Sequence, residues 1–142
     1  MSSRVDLESF VQAAGDGIIA AGSDGKIILW NSAAARIFGF TAEEAIGCSL
    51  DLIIPERFRE RHWRGYRQVM ASGETRYGAE VLRVPALHKD GRSLSIAFTV
   101  ALIQSQDDQA PVIAAIVRDE TKRWNEERAL RRRLAELEQE VG

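Results

Sequence analysis

Apolar and polar positions follow two rhythms along the chain, and the rhythm changes near its middle. Leu7, Phe10 and Val11 recur at helical spacing. They predict a helix over residues 5–14, capped by Asp6 or Ser9 and ended by Gly15-Asp16-Gly17. Two short apolar runs follow, Ile18-Ile19-Ala20-Ala21 and Ile27-Ile28-Leu29-Trp30, separated by Gly22-Ser23-Asp24-Gly25-Lys26. Asp-Gly is a strong tight-turn signal, because glycine takes positive φ without a Cβ clash, so this stretch reads as a hairpin.

The helical rhythm then returns. Asn31-Ser32 caps a short helix over residues 33–38, and Gly39 stops it. Thr41-Ala42-Glu43-Glu44 has the form of a capping box, with Thr41 and Glu44 as reciprocal partners, and opens a helix that ends at Gly47. Pro55 starts a longer helix reaching about Met70, with Phe58, Trp63, Tyr66 and Met70 as one apolar stripe and Ser72-Gly73 as its stop.

Beyond this point the period becomes two. Residues 80–88 alternate, with Leu82, Val84 and Ala86 on one side. Lys89-Asp90-Gly91 is a second Asp-Gly turn. Leu94, Ile96, Phe98, Val100 and Leu102 face one way along the next strand, over residues 94–103. Residues 104–110 form a polar loop, and Pro111 precedes a last strand over 112–117. Strands joined by tight turns imply an antiparallel sheet, with helices packed on one side, in the α+β class.

From about Asp119 to Val141 the chain is a charged helix. Leu130, Leu134, Leu137 and Val141 are spaced four, three and four apart, a coiled-coil seam of about two heptads. Glu127 with Arg131 and Arg132 with Glu136 are i,i+4 pairs. A seam this short does not hold a free helix in water, so it must pack on something, and a second copy is the simplest partner.

Composition narrows the function. At 142 residues, 45% apolar and 28% charged, the chain can bury one core without disulfide or metal support. The net charge of −2 carries no basic surplus for nucleic acid; acids surround the one dense run, Arg131-Arg132-Arg133. Cys48 is the single cysteine and forms no internal disulfide; a reducing, cytoplasmic setting is expected, and Cys48 reads as a small buried hydrophobe. No apolar run suits a membrane span or a signal peptide. There is no Gly-rich phosphate loop, no Gly-x-Ser-x-Gly and no His-Glu-x-x-His, so no enzyme is expected. Asp107-Asp108 and Glu126-Glu127 read as solvated pairs. His88 reads as solvated beside its turn, and two histidines and a cysteine so far apart make no metal site.

Several stretches, in this order, resemble the PAS family of sensory domains. They are Gly17-Ile18-Ile19-Ala20, Ser23-Asp24-Gly25-Lys26-Ile27, Trp30-Asn31-Ser32-Ala33-Ala34, Ile37 to Gly47, Ile54-Pro55-Glu56-Arg57, Lys89-Asp90-Gly91, and Val117-Arg118-Asp119-Glu120-Thr121. The resemblance spans roughly residues 8–122. It implies a five-stranded antiparallel sheet with helices over one face and a small-molecule pocket between. It divides the chain into an N-terminal cap helix (1–15), a PAS core (16–119) and a C-terminal signalling and dimerisation helix (120–142).

The same resemblance implies a sensory module of signal transduction that forms a homodimer. It would relay ligand or partner state to a histidine kinase, cyclase or transcription regulator, with no nucleic-acid or membrane contact of its own. Asp119 and Thr121 would carry the relay, Asp119 capping the last helix while bonding back to the sheet, and Leu130, Leu134 and Leu137 would dimerise. Ile19, Phe38, Leu82, Val84, Ile96, Phe98 and Val100 would line the pocket, or simply make a filled core.

Residues 54–66, Ile54-Pro55-Glu56-Arg57-Phe58-Arg59-Glu60-Arg61-His62-Trp63-Arg64-Gly65-Tyr66, resemble the haem-ligand helix of oxygen-sensing PAS domains of the FixL type. That implies haem b with His62 as axial ligand and Leu82, Phe98 and Val100 as lining. In those sensors an arginine stands where this chain has Leu82, and an apolar or ligating residue where it has Glu80. Read without haem, His62 is a partly exposed helix residue. Flavin is not expected, because Gly47-Cys48-Ser49-Leu50 lacks the light-sensing cysteine motif. Three readings stand: a relay module with an unnamed ligand, a haem-based gas or redox sensor, and a ligand-free protein-interaction scaffold. The final Glu138-Gln139-Glu140-Val141-Gly142 breaks off in mid-pattern, which points to an excised fragment.

Overall fold

The computed structural model describes residues 4–73, 80–104 and 111–141. The first helix, α1, spans Leu7–Ala13, and Asp6 caps it by accepting from the Glu8 and Ser9 amides. Strands β1 (Gly17–Ala21) and β2 (Ile27–Trp30) form the expected hairpin, with Ile19 opposite Trp30. Helix α2 covers Ser32–Phe38 and α3 covers Ala42–Ala45, where both bonds of the Thr41–Glu44 capping box are made. A 3-10 turn at Leu50–Ile53, which no sequence period announced, leads into α4 (Glu56–Ser72). Strands β3 (Leu82–Leu87), β4 (Ser93–Ile103) and β5 (Val112–Asp119) follow, and α5 runs from Thr121 to Val141.

Among the described residues the strands form one antiparallel sheet in the order β2-β1-β5-β4-β3. This is the five-stranded sheet expected. Its centre is β5, the last strand made, which slots between β1 and β4 with Ile19 opposite Ala115 and Phe98 opposite Val117. Pro85 sits in edge strand β3, where a missing N–H costs no inner ladder bond.

One face of the sheet carries the core. Ile19, Ile27, Trp30, Phe38, Leu94, Ile96 and Val117 are buried together with Ala34 and Ala45. Asn31 is the buried polar hub beside them. Its Oδ1 accepts from the Ile18 and Ala34 amides, and its Nδ2 donates to the carbonyls of Val11 and Asp16. One side chain thus caps α2, pins β1 and ties down α1. Fully satisfied, it meets the demand placed on any buried amide.

Several expectations change here. Val84 is 39% exposed instead of covered, because β3 is an edge strand. Cys48 is exposed, its Sγ held on the Glu44 carbonyl at 3.2 Å, because it follows Gly47 outside the core. His88 is only 14% exposed at its side chain, not solvated. Its ring lies on Gly39, which has φ +83 and where a Cβ would fall 2.6 Å from the ring. The β3–β4 turn beside it donates the Lys89 amide to the Phe38 carbonyl at 2.8 Å and sets the Lys89 ammonium on Glu44. That turn therefore latches the sheet to α2 and α3. The polar loop expected over 104–110 lies almost wholly outside the described residues, with Asp107-Asp108 in it.

Candidate functional site

The inner face of the sheet has a closed end and a half-open end. Ile19 (4%), Phe38 (0%) and Ile96 (6%), all expected in the lining, belong to the closed core. Leu82, Phe98 and Val100 are half-buried. Leu82 pairs directly with Phe98 across β3 and β4, and Phe98 packs against the core margin. This half-open apolar stretch is the part of the expected lining that the core does not consume. Glu80, just ahead of β3, is exposed, so its carboxylate stands in water at no desolvation cost.

Helix α4 is anchored by aromatic side chains. Trp63 Nε1 donates to Asp51 Oδ1 at 2.7 Å, and its ring covers Gly25 so closely that a Cβ there would lie 2.3 Å from it. Gly25, at φ +78, thus answers two demands, a left-handed turn and a close approach. Tyr66 is buried and donates its hydroxyl to the Gly22 carbonyl; burial pushes its phenol up to about 12, and Asp24 adds to the effect. Arg59 donates to the carbonyls of Ile54 and Asp51, closing the loop that leads into the helix.

His62 stands within this aromatic group. Its ring meets Trp63 edge-on at 4.6 Å and lies 5.7 Å from Tyr66. Its Nδ1 is a buried side-chain nitrogen with no hydrogen-bond partner among the described residues. Burial lowers its pKa below the ordinary histidine value, opposed by the Asp51 carboxylate. The imidazole is therefore biased toward neutral, with one nitrogen committed to no bond among the described residues. Among the described residues no group of His, Cys, Asp and Glu could hold a metal ion between them.

The start of α5 is a built junction. Asp119 Oδ1 accepts from the Thr121 amide at 2.9 Å and from its hydroxyl at 2.5 Å. Thr121 Oγ in turn accepts the Ser95 amide at 3.0 Å, and the Glu120 amide donates to the Ser95 carbonyl at 2.8 Å. Asp119 is still in strand, opposite Ile96. The bond back to the sheet is thus made by Thr121 and Glu120, not by Asp119, which orients the threonine. Ser95, the residue they reach, carries no sequence signal of its own. Glu120 also pairs with Arg83 of β3 at 3.4 Å. Further along α5, Leu130 (69%), Leu134 (58%), Leu137 (40%) and Val141 (89%) stand exposed in one row.

These features match known proteins. The family model for the PAS fold matches residues 6–119. A protein of Azorhizobium caulinodans is 34% identical over 118 residues, 82% of this chain and 16% of that protein. The sensor protein FixL of Bradyrhizobium diazoefficiens is 27% identical over 135 residues, 95% of this chain and 26% of FixL. The chain thus spans about a quarter or less of these relatives. The crystal structure of a PAS domain from Colwellia psychrerythraea superposes with a TM-score of 0.69 at 23% identity, over 82% of this chain and 95% of that one. With sheet order, core and family model in agreement, the chain belongs to the PAS family of sensory domains.

Proposed function

We propose that this PAS domain is a dimerising signal relay, passing the state of a ligand or partner through α5 to an output domain. The observation that supports the relay is the Ser95–Thr121–Asp119 junction. It bonds the first turn of α5 to β4, so a displacement of the sheet changes the angle at which the helix leaves. The ladder supplies stiffness on one side and the exposed seam on α5 supplies a surface on the other. The output domain, a histidine kinase, cyclase or transcription regulator, would lie on the same chain or in trans. No helix among the described residues is long and apolar enough to cross a membrane.

The test joins the chain through the end of α5 to a histidine-kinase reporter in place of that kinase's own sensor domain. Autophosphorylation should change between the parent sequence and Thr121→Val. A reporter indifferent to that substitution overturns the relay.

A second reading, a haem-based gas or redox sensor, is supported by the unpartnered buried Nδ1 of His62. A neutral imidazole in apolar surroundings suits an axial iron ligand. His62 would hold the iron, and Leu82, Phe98 and Val100 would supply apolar walls. Bound haem would supply reversible gas or redox chemistry at the iron. With Leu82 in place of a hydrogen-bond donor, this chain gives bound oxygen no side-chain donor at that position. Native mass spectrometry separates either sensor from a ligand-free interaction scaffold, which carries no small-molecule adduct.

A further inference from the structure

Helix α4 has a basic outer face. Arg57, Arg61, Arg64 and Gln68 recur four, three and four apart, which sets them in one row along the helix. All four are exposed, as is Arg67 beside them. The helix holds five arginines against two glutamates, in a chain of net charge −2. Arg59 is spent on the loop before the helix, and Arg64 meets Glu60 at 3.3 Å. Arg57, Arg61 and Arg67 have no carboxylate partner among the described residues, and Arg57 only stacks on Phe58 at 4.8 Å.

The same face holds Gly65. Glycine inside a helix lowers its stability relative to alanine, so its presence there calls for a reason. The chain itself supplies none. Gly65 has ordinary helical backbone, and a Cβ there would meet nothing within 4 Å. Gly25, covered by Trp63, is the opposite case. The missing side chain leaves a notch open to solvent, one turn from Arg61 and one turn from Gln68.

We infer that the outer face of α4 docks an acidic helix of a partner protein, whose carboxylates pair with Arg57 and Arg61 and whose backbone comes close at Gly65. Charge sets the sign of the partner, because guanidinium forks bind carboxylates in two-pronged pairs. The notch sets its shape, because a residue without a side chain lets a second helix lie close, and side chains spaced four and three apart form the ridges that helices pack by. Other polyanions fit less well. Glu56 and Glu60 interrupt the basic face, so the even charge of a nucleic acid would meet repulsion along with attraction. A lipid surface would call for apolar side chains to insert, and α4 exposes no large hydrophobic residue. The face is held firmly, since Trp63 and Tyr66 bond the other side of the helix to Asp51 and to the Gly22 carbonyl. Arg57, Arg61 and Gly65 belong neither to the α5 junction and seam nor to the half-open lining, so the inference stands apart from the relay and haem readings.

The probe is an alanine-based helical peptide of about 20 residues with glutamates four, three and four apart, matching the row. A second peptide has the same composition with its glutamates spread around the helix. Binding to the 142-residue chain is read by fluorescence anisotropy at low salt, where such pairs are least screened. The row peptide should bind the parent chain, and the spread peptide on the order of tenfold more weakly. Arg57→Glu with Arg61→Glu should weaken the row peptide on the order of tenfold or more. Gly65→Leu, which keeps every charge and fills the notch, should do the same. Its Tm should be no lower than the parent's, because the site is open and leucine is the better helix former. A parent chain that does not bind the row peptide overturns the inference, as does a Gly65→Leu chain that binds it equally well. A lowered Tm in Gly65→Leu would show that the chain itself needs the glycine, with the same consequence. Tighter binding of a single-stranded oligonucleotide or of phosphatidylserine vesicles than of the row peptide would also overturn it, by assigning the face to nucleic acid or to lipid.

Discussion

Thr121 Oγ accepts the backbone amide of Ser95 at 3.0 Å, joining the first residue of α5 to β4. Replacing the hydroxyl by a methyl leaves the partly buried Ser95 amide without that acceptor. Thr121→Val should therefore cost about 1–3 kcal/mol of stability, while Thr121→Ser, which keeps the oxygen, should stay close to the parent. Denaturant titration measures both. Equal losses in the two variants would show that the methyl, not the hydrogen bond, holds the junction.

Gly25 lies under the Trp63 ring at φ +78. Gly25→Ala should destabilise the chain by about 2–4 kcal/mol, through left-handed strain and through the push on Trp63. Thermal unfolding should show a clearly lowered Tm. The Trp63 bond to Asp51 should loosen with it, since one ring makes both contacts.

Burial lowers the pKa of His62, with Asp51 opposing. The unfolded chain, with its histidine near 6.5, therefore takes up a proton before the folded chain does. Stability from this group is complete above pH 6.5 and falls as pH drops through that value toward the folded pKa. His62→Gln should flatten the stability profile in this window. The lowered carboxyls of Asp6, Glu44 and Asp90 act at more acidic pH and leave the window unaffected. An unchanged slope in His62→Gln would place the transition elsewhere.

If His62 holds haem, the chain supplied with haem during purification should show an intense Soret band, and His62→Ala should lose it or shift it strongly. A colourless parent protein that takes up no haem ends the haem reading and leaves the relay reading standing.

Charged residues in the seam should break the dimer. Leu130→Asp with Leu134→Asp should sediment as a monomer where the parent is dimeric, at unchanged body stability, because both leucines are exposed in the single chain. A dimer of undiminished strength would move the interface off α5.

Local signals in this chain were strong, and they were local for a physical reason. The Asp24-Gly25 and Asp90-Gly91 turns, the Thr41–Glu44 capping box and the Asn31 cap each act within a few residues, so the residues themselves determine them. Strand alternation and the leucine spacing of α5 were legible on the same ground, and with the order of elements they were enough for the fold. What needed the folded chain was every property set by residues distant in sequence. Asn31 proved to be a hub because α1, β1 and α2 converge on it. His88 was drawn from solvent because Gly39 leaves room for its ring, and Val84 was exposed because β3 ended at a sheet edge. The bond from α5 to the sheet passed from Asp119 to Thr121 because only strand pairing brings Ser95 beneath the start of α5. Residue order alone settles most of which segments become strand, turn and helix, the 3-10 turn at Leu50–Ile53 excepted, since those choices rest on near-neighbour sterics and hydrogen bonds. Which side chains are left without a partner among the described residues, His62 Nδ1 inside and the leucine row outside, only packing could settle, because burial is a property of the whole.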